Sequence, residues 1–150
     1  MENLFDTVSA DIKKAMLARD AVRLESLRGI KKEFLEAKTA KGSDGTLSDD
    51  RAIQILSKMV KQRRESAEIY TQQNRPELAQ AELAQAAVIE EYMPKQLSPE
   101  ELDAALREII ARVGATSPKE MGKVMGVASK ELAGKAEGRA ISAAVKALLS

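Results

Sequence analysis

No proline occurs before Pro76, and the residues that fill this stretch are largely Ala, Leu, Glu, Lys, Gln and Arg. These are strong helix formers, because they lose little side-chain freedom in a helix. A chain with so few breakers buries apolar surface by repeating it every three or four residues. Such stripes are present. Leu24, Leu27, Ile30 and Phe34 form one; Ile53, Leu56 and Val60, extended by Ala67 and Tyr70, form a second. The cleanest is Leu102, Ala105, Leu106, Ile109, Ile110 and Val113. No segment alternates with period two. The spacing predicts an all-α protein.

Helix boundaries are marked by caps and breakers. Ser98-Pro99-Glu100-Glu101 and Ser117-Pro118-Lys119-Glu120 share one start signal: Ser caps, Pro occupies the first helical position, and Glu at the third bonds back to the cap. Ser48-Asp49-Asp50 opens another helix with two carboxylates at its positive end. Breaks fall at Gly42–Gly45, Asn74–Pro76, Pro94, Gly114–Thr116 and Gly134–Gly138. Seven helices are expected, over about 3–18, 20–41, 49–73, 77–92, 99–113, 118–133 and 139–149. Tight Gly/Pro punctuation begins near Pro94. It predicts two helical subdomains: an N-terminal bundle of longer helices over 1–93 and a small C-terminal three-helix subdomain over 94–150. The Ala/Gln-rich run from Ala79 to Ala87 reads as helix surface.

At 150 residues the chain is long enough to bury a core without covalent staples. It contains no His and no Cys. Disulfides, thiolate metal sites and His- or Cys-based nucleophilic catalysis are thereby excluded. Carboxylate pairs occur at Asp49/Asp50, Glu90/Glu91 and Glu100/Glu101, but neighbours on one helix point apart and do not form an acid–base pair across a cleft. The glycines build no phosphate loop. Gly122 and Gly126 lie four apart within a helix and are expected to allow a close backbone approach, first by a neighbouring helix and alternatively by a phosphate chain. No catalytic residue, metal ligand or cofactor site is expected. No apolar run is long enough to span a membrane. The acidic opening, Met1-Glu2-Asn3-Leu4-Phe5-Asp6, lacks the positive charge of a secretory signal, and a cytoplasmic location is expected.

Charge is the most informative remaining feature. The whole chain carries a net +1, but residues 112–150 carry seven basic residues against three acidic, and residues 13–41 carry nine against four. Lys119, Lys123 and Lys130 step by four and seven, which places them on one helix face. Lys135 and Arg139 flank a glycine turn whose backbone amides can help hold a phosphate. All four aromatic residues precede Pro94, so the C-terminal part has no platform for stacking bases. From Ser98 onward there is no Asn or Gln to read base edges, which argues against DNA recognition. Phosphate and shape recognition of folded RNA remains.

Met121-Gly122-Lys123-Val124-Met125, then Gly134-Lys135-Ala136-Glu137-Gly138-Arg139 and Val145-Lys146-Ala147-Leu148-Leu149, resemble the YqeY family. Glu90-Glu91-Tyr92-Met93-Pro94-Lys95-Gln96-Leu97-Ser98 and Arg23-Leu24-Glu25-Ser26-Leu27-Arg28 resemble it too. The family is similar to the C-terminal tail of the B subunit of the glutamine-dependent aspartyl/glutamyl-tRNA amidotransferase, and to a module appended to some glutaminyl-tRNA synthetases. The resemblance implies a helical tail that grips tRNA away from the catalytic centre. A carbon–nitrogen ligase label with glutamine as amido donor would describe those relatives. The family's basic positions fall on Lys123, Lys135, Arg139 and Lys146; Lys119 and Lys130 come from the charge pattern. Where the family pattern often has Asp in the glycine turn, this chain has Glu137.

The expected function is a non-catalytic tRNA-binding accessory module acting through Lys119, Lys123, Lys130, Lys135, Arg139 and Lys146. The alternative is a protein-interaction adaptor docking on a tRNA-charging or amidotransferase complex, which would show an exposed apolar patch. An enzyme using carboxylates or Lys ranks third, because the sequence offers no convergent site.

Overall fold

A computed structural model of the chain describes residues 3–150 and, among them, shows helices and no strand; Met1 and Glu2, the start of the acidic opening, lie outside the described residues. The α-helices are α1 (Leu4–Ala18), α2 (Ala21–Thr39), α3 (Asp49–Gln72), α4 (Pro76–Glu90), α5 (Pro99–Val113), α6 (Met121–Glu131) and α7 (Gly138–Leu149), with a 3₁₀ turn over Pro118–Glu120. The chain divides into two compact units, Met1–Met93 and Pro94–Ser150.

In the N-terminal unit the predicted α2 stripe becomes the core, and the α3 stripe does so in part: Leu56 and Val60 are buried, Ile53 and Tyr70 are only half-buried, and Ala52 and Met59 complete the buried face. Leu27, Ile30 and Phe34 of α2 meet Ala52, Leu56, Met59 and Val60 of α3, Ala86, Val88 and Ile89 of α4, and Val8 and Ala15 of α1. Polar side chains start each of the first three helices. Asn3 accepts from Asp6 N at 2.9 Å, Asp20 from Arg23 N at 3.0 Å and Ser48 from Arg51 N at 3.2 Å. Asp49 does more than favour its own helix dipole, since its Oδ1 accepts from Leu4 N at 3.1 Å at the positive end of α1. The Ala/Gln run is not simply surface. Ala79 and Ala86, seven apart on α4, are buried, as is Ala67 on α3, and small side chains of this kind let the two helices lie close along their length.

The C-terminal end of α4 is tied to α1 and α2 by a polar network. Tyr92 Oη donates to Asp11 Oδ2 at 2.6 Å, Arg23 Nη2 donates to Tyr92 Oη at 3.4 Å, and Arg23 Nη1 donates to Glu91 Oε2 at 2.8 Å. Burial and the bond to Asp11 push the Tyr92 hydroxyl up to about 12. A phenol whose folded pKa exceeds its unfolded value of about 10 adds stability that is present below pH 10 and is lost as pH rises toward 12. Tyr92→Phe should therefore cost about 1 kcal/mol at neutral pH and remove this alkaline component. Urea unfolding of both proteins from pH 7 to 12 checks it. An unchanged alkaline profile in the variant would contradict the network's role.

The C-terminal unit has its own core: Leu102, Leu106 and Ile109 of α5, Ala115 in the loop after it, Val124 and Ala128 of α6, Leu132, and Ile141, Val145 and Leu149 of α7. Ser98 and Glu101 form the predicted capping box, with Glu101 N bonded to Ser98 Oγ at 3.1 Å and Ser98 N to Glu101 Oε1 at 3.0 Å. Gly114 ends α5 at φ +81°, which a residue without Cβ adopts freely.

The single helix expected over 118–133 is instead a 3₁₀ turn followed by α6. The Glu120 carboxylate reaches back to Thr116 N at 2.5 Å and Ser117 N at 3.2 Å. Glu120 N bonds to Ser117 O at 3.1 Å, an i→i+3 closure that tightens this first turn.

Candidate nucleic-acid interface

In the C-terminal unit, α6 turns Val124 and Ala128 into the core and exposes Gly122, Lys123, Gly126, Ser129 and Lys130. Lys123 and Lys130 are seven residues apart and share one face. Lys119 stands about a turn earlier, exposed on the 3₁₀ segment. The expected packing of a helix against Gly122 and Gly126 is not what the structure shows: a Cβ at either position would meet nothing within 4 Å. Both glycines lie on the exposed side of α6, so the helix backbone is open there instead of pressed against protein.

Lys135 lies in the turn between α6 and α7, where Gly134 takes φ +75°. This turn is held from its carbonyl side. Gln96 Nε2 donates to Gly134 O at 2.5 Å, and Leu97 N donates to Lys135 O at 2.9 Å. No side chain caps α7, whose N-terminal turn carries Gly138 and Arg139. The free amides and the guanidinium thus present positive charge together. Arg139 and Lys146, seven apart, share an exposed strip of α7 that flanks the face burying Ile141, Val145 and Leu149. The six sequence-predicted cations form two strips, Lys119/Lys123/Lys130 and Arg139/Lys146, with Lys135 in the turn that joins their helices. All six are exposed.

Electrostatics separate these six from their neighbours. Arg112 is bidentate to Glu131, at 2.8 and 3.1 Å, and lies 3.4 Å from Glu108. Its guanidinium beside Glu131 holds that carboxyl below the ordinary range, and Arg112 itself is raised, chiefly by the hydrogen bond to Glu131. Glu120 is also held low, first by the backbone N–H of Thr116. Two of the region's carboxylates are therefore engaged elsewhere. Among the described residues, none of the six cations is in an ion pair. The charge count ranked Arg112 with them; the i,i+4 spacing from Glu108 was the one sequence sign that it is partnered. Among the described residues there is no cluster of three or more His, Cys, Asp or Glu placed to hold a metal ion.

Residues 5–149 match the family described as Yqey-like protein, and the chain belongs to that family. Its curated relatives include proteins named altered inheritance of mitochondria protein 41, mitochondrial. The one from Meyerozyma guilliermondii is 33% identical over 126 residues, covering 81% of this chain and 65% of the relative. That from Eremothecium gossypii is 34% identical over 121 residues, covering 76% and 66%. That from Lachancea thermotolerans is 28% identical over 114 residues, covering 72% and 58%. The chain thus spans somewhat under two-thirds of the length of the relatives it matches. Their names overturn the cytoplasmic expectation, because each is called mitochondrial. The expectation rested on the lack of a secretory signal and of a membrane-spanning run, and neither of these fixes a compartment.

Proposed function

We propose that this member of the Yqey-like family is a non-catalytic module that binds folded RNA, with tRNA as the ligand its resemblance to amidotransferase tails suggests. One observation supports the reading most. Six exposed cations stand without ion pairs on the 3₁₀ turn, on α6, on α7 and in the turn that joins these two helices, while the nearby Arg112 and its acidic partners neutralise one another. Six separate ammonium and guanidinium groups, four of them on α6 and α7 and two in the turns beside these helices, suit a ligand with several negative charges. No stacking aromatic accompanies them, so phosphate and shape supply the recognition. Any amide-transfer chemistry belongs to the rest of the assembly in which such a tail works. The relatives' names add a mitochondrial setting to this reading.

Titration of the protein against tRNA and an unstructured RNA of equal length, across a salt series, tests it. If all six cations reach phosphates, log affinity should fall against log salt with a slope of about 4 to 5, and tRNA should bind more tightly than the unstructured strand. Absence of saturable binding at low salt, or a slope near zero, would contradict the reading.

A second reading, an adaptor docking on a tRNA-charging or amidotransferase complex, is favoured by one feature of the N-terminal unit. Around the α1–α2 turn, Leu17 is 87% exposed, Met16 52% and Val22 49%, an apolar patch of the kind that marks partner surfaces. Retention of such a complex after ribonuclease treatment would favour this second reading.

A further inference from the structure

One side of α2 in the N-terminal unit gathers positive charge that the fold itself does not use. Helical register places Lys31, Lys38, Leu35, Arg28, Thr39 and Lys32 on one side of the helix, with Glu36 at its far edge. Among the described residues, Arg28, Lys31, Lys32 and Lys38 are in no ion pair. By contrast Arg23, five residues before Arg28 and on another side of the helix, is bound to Glu91.

Two of the four are gathered by an aromatic ring. Lys38 Nζ lies 4.0 Å from the centroid of Phe5 and Lys31 Nζ 5.9 Å from it. The ammonium groups are therefore within about 10 Å of each other, close enough to repel at ordinary ionic strength. The ring's attraction offsets part of that repulsion, and an anion placed beside them would offset the rest.

Next to this pair, Arg28, Lys31, Lys32, Leu35, Glu36 and Thr39 border a shallow, open strip along the surface of α2. It runs roughly 16 Å along the helix axis, from Arg28 to Thr39. Leu35, 42% exposed, lies midway along it. A single phosphate would want its donors converging on one point. Here they are strung along the helix surface with an apolar side chain between them, as suits a chain of phosphates whose sugars rest on Leu35. A lipid surface would instead want its apolar side chain projecting beyond the cations.

We propose that this face of α2 is a second phosphodiester-binding surface, through which the N-terminal unit grips the same RNA as the C-terminal cations. The inference takes its ligand class from the RNA-binding reading above.

The test uses the full chain and tRNA as probe. Arg28→Gln/Lys32→Gln removes two exposed charges without creating a row of carboxylates on α2, and an unchanged melting temperature verifies the fold. The double variant should bind tRNA about tenfold more weakly, with a salt slope lower by about 1.5. The same drop should appear when the double is added to Lys123→Glu/Lys135→Glu/Arg139→Glu. If the double variant binds as wild type while the C-terminal triple is weakened, the α2 surface is refuted and the C-terminal reading stands. If neither variant is weakened, both fall. Saturable binding of inorganic phosphate or AMP at this face below millimolar concentration would replace the chain-binding surface with a discrete anion pocket, against the proposal. Loss of binding to anionic vesicles but not to tRNA in the double variant would assign the face to lipid, against the proposal.

Discussion

Replacing Phe34 by alanine should lower the free energy of unfolding by about 3–5 kcal/mol. Phe34 is fully buried at the junction where α2 meets α1, α3 and α4, in the same cluster as Val8, Leu27, Ile30, Leu56 and Ile89. Truncation removes the ring from a close-packed interior and leaves a cavity that three surrounding helices cannot easily close. Domains of this size are stable by only about 5–15 kcal/mol, so the loss is a large share of the total and should move the urea midpoint strongly. Leu17→Ala is the contrast. At 87% exposure its side chain has little to lose, and the change should stay within about 0.5 kcal/mol. Urea unfolding of the two variants beside wild type makes the comparison. A Phe34→Ala cost below about 1 kcal/mol would mean that the α2 stripe is not the core.

Much of this architecture is legible in the residues, because the cues are local. The α2 and α5 stripes, the Ser98 capping box and the cap at Ser48 depend on spacings of three and four within one helix, and each appears where the spacing puts it. What is not legible depends on partners far away in the chain. Asp49 reads as a residue favouring its own helix dipole, yet its carboxylate also accepts the Leu4 amide, 45 positions away. Arg23 and Glu91 carry two separate stretches of family resemblance, and only the fold shows that they bond to each other, with Tyr92 joining them to Asp11. Ala79 and Ala86 look like surface because alanine has no strong preference; proximity of α3 to α4 buries them.

The candidate site divides in the same way. The exposure of all six cations follows from the helical register. That Arg112 is neutralised and the others are not requires the position of Glu131 across the α5–α6 contact. The glycines of α6 depart from the expectation for a related reason. A GxxxG spacing permits close approach but does not say what approaches, and the fold leaves that side of the helix open.

The variant Lys123→Glu/Lys135→Glu/Arg139→Glu should bind tRNA at least about a hundredfold more weakly than wild type at low salt, since three phosphate contacts become three repulsions. Its fold should persist. All three side chains are exposed and none is in an ion pair among the described residues. Glu at position 139 even places a negative charge at the positive end of α7, while Glu at 123 adds a mild repulsion one turn from Glu120. A nearly unchanged melting temperature should accompany the loss of affinity. The variant samples both strips and the turn between them, so the paired titration of wild type and triple variant against tRNA tests the central claim most directly. A fall of about a hundredfold or more with a shallower salt slope is the result the structure leads us to expect. Affinity within about twofold of wild type, in a protein that melts at the same temperature, would contradict it: such a difference is about 0.4 kcal/mol, less than one phosphate contact contributes.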